Sequence, residues 1–457
     1  DQGVRELLDA ITKYTIMKTY GDIFGAYVYK ISRDGNDRLS NMLITGGTLN
    51  VKDICNGDKI EEIRKYNGGK YINVLSANAG EIVSVVGLKK TKAGQGIGDN
   101  MDMYVPLSVS VISYGVTIVG KENINEAFNE LKIIEEENPG SEFYRNEKSG
   151  EINAKFLGKI QMEVIKDIVK ERFGFDIEFG NEEIIYKETI TDIAMGVGHF
   201  EPLRHYAEVM IAITPLERGS GIIINNFANR EKLPINYQSL ILTNLGEKSH
   251  SGVLTGNEIT DVAINLLDGR AHLKHTEGGD FREASYRAVR CALMNAKSRL
   301  LEPYYDFTIS VSRDNVGKVM SDVDRLYGTC DIEDESGDNV IIKGRGPAAT
   351  FRNYYNDLIA FTHGKGQITM TFSGYDYCHN EEEVIKSINY NPDEDIDNLS
   401  GSVFCSHGSG FYVTWEEALE KMHLPKDAYN SFKNLYYKSL GKDNIIREEA
   451  VSIEKEA

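Results

Sequence analysis

The sequence predicts a multidomain α/β chain: an antiparallel β-barrel, followed by two ferredoxin-like split βαβ domains that flank a further α/β domain. Three observations lead there. The chain has 457 residues, too many for one hydrophobic core, so several domains are expected. Over residues 21–109 apolar side chains alternate with polar ones between turn clusters, the signature of short antiparallel strands. Beyond that stretch a strand–helix–strand order occurs twice, at 123–190 and at 304–374.

Each element follows from local chemistry. The chain opens on Val4, Leu7, Leu8 and Ile11 at helical spacing. A helix starting so abruptly is expected to be the last element of a domain preceding residue 1. Strands such as Ala26-Tyr27-Val28-Tyr29-Lys30-Ile31 and Tyr71-Ile72-Asn73-Val74-Leu75 are separated by Asp34-Gly35-Asn36-Asp37, Gly46-Gly47 and Asn67-Gly68-Gly69, which supply turns. Residues 125–137 read as a helix, 151–157 as a strand, a second helix carries Ile160, Val164, Ile168 and Val169 inward, and 175–179 is a strand. In the later unit 307–311 is a strand and 315–326 a helix with Val316, Val319, Val323 and Leu326 inward. A strand at 340–342, a helix starting at Pro347, where a missing N–H costs nothing, and a strand at 367–372 complete it. The middle segment has strands at 206–214 and 260–267 and a helix at 281–297. Past residue 380 the chain turns acidic, and an amphipathic segment holding Trp415, Leu424, Phe432, Leu435 and Tyr436 precedes a polar tail expected to be disordered. The Trp415 segment reads as core packing against the middle domain.

Composition narrows the function. The formal net charge of −19 opposes diffuse coating of nucleic acid, so any RNA contact must come from a local patch. No apolar run is long enough to span a bilayer and no signal peptide opens the chain, so no membrane partner and a cytoplasmic location are expected. Five scattered cysteines without CxxC spacing read as reduced thiols. Gly94-Gln95-Gly96-Ile97-Gly98 opens no helix and reads as a barrel loop rather than a dinucleotide site. Cys378-His379 and Cys405-Ser406-His407 lack zinc-finger spacing, so no metal site is assigned. No catalytic residues are assigned either. A metal- or cofactor-dependent enzyme built on these features is the alternative from another class.

Five segments, in order, carry a resemblance. Leu43-Ile44-Thr45-Gly46-Gly47-Thr48-Leu49 looks like the strand–turn–strand of the translation-factor barrel. Phe156-Leu157-Gly158-Lys159-Ile160-Gln161-Met162-Glu163-Val164 and Ile213-Thr214-Pro215-Leu216-Glu217-Arg218-Gly219-Ser220-Gly221 resemble third- and fourth-domain segments of the ribosomal-protection tetracycline-resistance proteins. Leu300-Leu301-Glu302-Pro303 and Thr362-His363-Gly364-Lys365-Gly366 are similar to the fourth-to-fifth junction and the fifth-domain helix exit of elongation factor G. The chain thus resembles the non-GTPase domains of an elongation factor G-like translational GTPase, nearest to the tetracycline ribosomal-protection proteins. The resemblance implies a remnant helix of a GTPase domain at 1–15, a domain II-like barrel at 16–110 and a domain III-like unit at 111–190. It further implies a domain IV-like unit with a ribosomal tip at 191–303, a domain V-like unit at 304–380 and a C-terminal extension at 381–457. It implies a monomer whose partner is the ribosome, through small-subunit rRNA at the decoding centre and ribosomal proteins. GTP and Mg are expected in the full-length parent. This chain has no GxxxxGK[ST], because no Gly-Lys pair is followed by Ser or Thr, so no cofactor and no GTP hydrolysis are expected of it.

The resemblance places the tip on two loops, 196–205 and 269–280. Together they hold Arg204, Arg270, Lys274 and four histidines against three acidic residues, a local surplus suited to RNA, with rings able to stack on unpaired bases. The expected RNA-binding residues are His199, Arg204, His205, Arg270, His272, Lys274, His275, Thr276 and Glu277. A mobile loop offers Lys248, Ser249 and His250 as further contacts. His205 precedes a strand and reads equally as a partly buried histidine. Asp280, with Glu283 three residues on, reads as the cap of the helix at 281. Ungapped counting from Leu300 sets His272 at the position of the elongation factor G tip histidine. The same count sets Lys274-His275-Thr276 where the tetracycline-protection proteins carry Pro-Val-Ser. Ribosomal protection against tetracycline is the leading expectation, and an elongation factor G-like translocation factor the alternative.

Overall fold

The computed structural model describes residues 3–15, 19–100, 110–145, 150–156, 158–336 and 338–441. The expected polar tail from residue 442, the end of the barrel segment at 101–109 and Leu157 of the third-domain segment lie outside them. The chain divides into two compact units, 1–183 and 184–457.

In the first unit the helix Val4–Tyr14 leaves Val4, Leu7, Leu8 and Ile11 exposed. A six-stranded antiparallel sheet follows, in the order Gly96–Gly98, Gly25–Asp34, Asp37–Gly46, Ile82–Val86, Glu62–Asn67, Lys70–Val74. Its apolar face is closed by Ala26, Val28, Ile44, Leu49, Ile63 and Val85. Among the described residues no pairing joins the two edge strands, so the sheet is open rather than a closed barrel. The glycine-rich segment forms an edge strand, with Gly25 opposite Gly98. A Cβ on Gly98 would stand 2.3 Å from the Phe24 carbonyl oxygen, so glycine there serves close backbone approach.

The second part of this unit is a four-stranded sheet in the order Glu142–Arg145, Ile152–Lys155, Ile112–Val119, Asp176–Ile184, crossed by helices Ile124–Glu137 and Lys159–Phe173. In chain order that is 2-3-1-4, the order of a split βαβ unit. The second helix is rotated relative to expectation. Met162, Ile165 and Val169 are buried, whereas Ile160 and Val164 are exposed. Both stripes satisfy a 3.6-residue period, and the ring cluster of Phe143, Phe156 and Phe175 selects the one that faces it.

The second unit holds two sheets. One runs in the order Ile222–Asn226, Val262–Ala271, Ala207–Pro215, Ala194–Phe200, Ser402–Ser406, Ser409–Val413. Helices Ile235–Glu247 and Gly278–Met294 cover one face, where Phe281, Ala284, Ala288 and Ile241 pack on Val209, Ile211, Ile213 and Ile264. The C-terminal segment covers the other. Leu424, Leu419, Met422 and Phe432 meet Met195, Met210 and Leu267, and Phe404, Val413, Ala418 and Trp415 surround Val197. Past residue 380 a helix Glu381–Ile388 comes first, and the chain after it is an integral part of this domain, supplying two strands and the helices Trp415–Lys421 and Asp427–Ser439. The other sheet centres on the long strand Ser298–Ser312, with Gln367–Tyr377 on one side, Asn339–Pro347 and then Thr329–Ser336 on the other, and Lys187–Ile190 pairing its first residues. No helix among the described residues is long and apolar enough to cross a membrane.

Candidate nucleic-acid interface

Strand register brings two loops to one end of the six-stranded sheet of the second unit. Phe200 pairs with Ala207, and Ala207 in turn with Ala271, so segments 201–206 and 272–277 leave the same edge side by side. They are tied by their backbones: the Tyr206 N–H donates to the His275 oxygen at 2.9 Å. The Thr276 hydroxyl donates to the Tyr206 oxygen at 2.5 Å and accepts the His272 N–H at 2.7 Å. Asp280 clamps both loops. Its Oδ2 accepts the Glu277 N–H at 2.9 Å and its Oδ1 lies 2.8 Å from His205 Nδ1. The helix begins at Gly278, a turn earlier than expected. Asp280 is therefore its third residue reaching back to Glu277, and Glu283 has no part in the cap.

Outside this clamp the second loop is exposed. Arg270 lies not on the loop but at the end of the strand Val262–Ala271; it, His272 and Lys274 are exposed, and the His272 and His275 rings stack at 4.6 Å and 19°. His275 and Thr276 are half-buried, and Glu277 is exposed as the cap. Arg270 lies 6.0 Å from the Tyr206 ring centre. Leu273 is fully exposed, at 104%. Nothing in the sequence marks it for exposure, since a lone leucine between His and Lys normally turns into a core. On the first loop Arg204 and Leu203 are exposed, and Arg204 has φ 67°. A third element joins them. Val403 pairs with Phe200 in parallel, so the hairpin turn of Ser406, His407 and Gly408 projects past the end of that strand.

Two expected contacts lie inside the fold instead. His199 is on the strand Ala194–Phe200, not on a loop, and is completely buried, stacked on Phe404 at 3.9 Å and 3°. The cause is Gly196 and Gly198. A Cβ on either would stand 2.0 Å or less from the Ala288 or Ala284 carbonyl oxygen. The glycines let a helix lie against the strand, where the sequence suggested a turn. His250 is buried as well, with Nε2 donating to the Leu245 oxygen at 2.9 Å, and burial holds its pKa below the ordinary value. Its neighbours anchor the loop. Ser249 donates to Glu258 at 2.9 Å and Lys248 to the Asp397 oxygen at 3.1 Å, so the loop is held rather than free.

Of the Cys/His pairs, Cys378 and His379 do meet a carboxylate. Glu302 Oε1 accepts from the His379 N–H and lies 2.7 Å from its Nδ1. Burial pushes the Cys378 thiol up to about 12. Cys405 and His407 sit on the exposed hairpin, where Ser406 Oγ is 2.9 Å from His407 Nδ1.

Residues 182–297 match the family described as elongation factor G, domain IV, and residues 299–384 match elongation factor G C-terminus. Over these two stretches the chain is similar to elongation factor G. It is 28% identical over 405 residues to the tetracycline resistance protein TetP of Clostridium perfringens, covering 85% of this chain and 62% of that protein. It is 27% identical over 372 residues to elongation factor G of Gluconobacter oxydans (strain 621H), covering 77% and 52%. A solved structure from Thermus thermophilus shares the fold at TM-score 0.51 and 21% identity, over 85% of this chain and 61% of that one. The chain thus spans between about half and 62% of the length of these curated relatives.

Proposed function

We propose that this chain is the ribosome-binding part of an elongation factor G-like translational GTPase of the tetracycline ribosomal-protection type. Its tip enters the small-subunit decoding centre. The observation that carries this reading is the exposed run of Arg270 at the strand end and His272, Leu273 and Lys274 on the loop, with His275 half-buried beside them, a cationic cluster in a chain of net charge −19. Arg204 stands beside it on the neighbouring loop.

The tip works as a rigid arm. Thr276 and Asp280 fix the loop backbone, so little conformational entropy is lost on docking. Arg270 and Lys274 then engage phosphates, and the His272–His275 stack and Leu273 present surfaces on which unpaired bases can lie. Glu277 and His205 position the loop, and Lys248 and Ser249 flank it as part of the domain body. GTP and Mg act in the whole protein, which works as a monomer in the cytoplasm.

The second reading, translocation, is favoured by one specific observation: the identity to elongation factor G, 27%, nearly equals that to TetP, 28%. Two experiments separate the readings. The whole protein should co-sediment with ribosomes in the presence of a non-hydrolysable GTP analogue, as either reading requires. Expressed in a tetracycline-sensitive host, it should raise the drug concentration tolerated. Ribosome binding without protection would favour translocation, and no ribosome binding would remove both.

A further inference from the structure

Beneath the tip, on the face covered by the C-terminal segment, three side chains converge: His199, Glu208 and His423. Their ligand atoms all lie within 4.8 Å of one another. His199 and Glu208 are completely buried on adjacent strands, paired in register, and His423 comes from the chain just after Trp415–Lys421.

The hydrogen bonds leave a specific deficit. His199 Nε2 lies 3.0 Å from Glu201 Oε2, so that nitrogen carries the proton and Nδ1 is left with a lone pair. Nδ1 faces Glu208 Oε1 at 3.5 Å, and neither it nor Glu208 Oε2 has a hydrogen-bond partner among the described residues. Glu208 Oε1 accepts the His423 backbone N–H, at 2.8 Å. A buried lone pair aimed at a buried carboxylate repels it, so a positive species must stand between them. A proton on Nδ1 would answer the imidazole but leave Glu208 Oε2 unsatisfied and two carboxylates facing one cation. A divalent ion answers both atoms and balances Glu201 and Glu208.

We propose that His199 Nδ1, Glu208 and a ring nitrogen of His423 bind a divalent transition-metal ion of the zinc class, which clips the C-terminal segment to the sheet below the tip. Two imidazoles and one carboxylate suit zinc. The supporting shell is present. Glu201 orients His199 through Nε2, as carboxylates commonly do for metal-bound histidine. Phe404 stacks on the His199 ring, and Tyr206 Oη lies 3.1 Å from His423 Nδ1. His423 is exposed, giving an entry path. Because Tyr206 also accepts from Thr276, the ion would steady the tip as well as the C-terminal segment.

The test uses the untagged chain, loaded with zinc or cobalt and dialysed against a competing chelator of known affinity, with metal read by elemental analysis. One ion per chain is expected, with cobalt giving the visible absorption of a low-symmetry site. Glu208→Gln and His423→Ala should each weaken binding at least tenfold. Circular dichroism should show that His423→Ala, a change at an exposed position, keeps the fold. Cys378→Ser and His407→Ala should leave binding unchanged. No stoichiometric metal on the wild-type chain, equal binding by His423→Ala, or loss of metal on Cys378→Ser would each overturn the proposal.

Discussion

The Thr276 hydroxyl donates to the backbone oxygen of Tyr206 at 2.5 Å while accepting the His272 N–H at 2.7 Å. One side chain thus joins the two loops of the tip and closes the turn that displays His272, Leu273 and Lys274. Replacing Thr276 by Val keeps the shape and removes both bonds. Each is worth about 1 kcal/mol, and the effect should be local: faster amide exchange at His272 and His275, with little change in global stability. Thr276→Ser, which retains the hydroxyl, should exchange like the wild type.

Gly198 is required by packing rather than by a turn. A Cβ there would stand 1.8 Å from the Ala284 oxygen. Gly198→Ala must push the helix off the sheet, and destabilisation of about 1–3 kcal/mol is expected. Gly279→Ala is the control: nothing lies within 4 Å of its Cβ position and it sits in the first turn of the same helix, so it should be neutral or slightly stabilising. Urea-denaturation midpoints of the two variants check the contrast.

His250 sets a pH dependence. Burial depresses its pKa below the ordinary 6.5, so the folded state disfavours the proton. Its contribution to stability is fully present above pH 6.5 and is lost as pH falls through the depressed value. His250→Gln should therefore flatten the stability profile below pH 6.5, measured by thermal melts across that range.

Arg290 anchors the C-terminal segment. Its guanidinium donates to the Ser251 and Gly252 oxygens at 2.9 and 2.8 Å and to Tyr390 Oη at 2.5 Å. Arg290→Ala should cost about 3 kcal/mol, because buried carbonyls lose charged donors. Limited proteolysis should then cut near residue 390 first. Arg290→Lys should recover only part of this, since one ammonium cannot reproduce the fork.

Elements whose apolar pattern is local were legible in the sequence. The two strand–helix–strand repeats, the strand Ala207–Pro215 and the helix carrying Phe281, Ala284 and Ala288 follow from periodicity alone. The strand Ala194–Phe200 was not, because Gly196 and Gly198 imitate a turn when their role is to admit a helix. The strands Ser402–Ser406 and Ser409–Val413 were also missed: the first joins the sheet through Val403 beside Phe200, about two hundred positions away, and the second is added to it as a hairpin, and the distant pairing leaves no local pattern. At the tip, residue types showed where charge gathers, but not which side chains were already engaged. His205 is held by Asp280 and His199 lies within the sheet, whereas Leu273, which no charge pattern marks, is the most exposed apolar side chain of the loop.

Contact of Arg270, His272, Lys274 and His275 with ribosomal RNA can be read from binding to isolated small ribosomal subunits over a series of salt concentrations. The triple variant His272→Ala, Lys274→Ala, His275→Ala should bind at least tenfold more weakly than the wild type. Lys274→Ala alone should lower the slope of log affinity against log salt by about 1. Unchanged affinity and slope in the triple variant, with the fold intact, would mean that these side chains do not meet RNA.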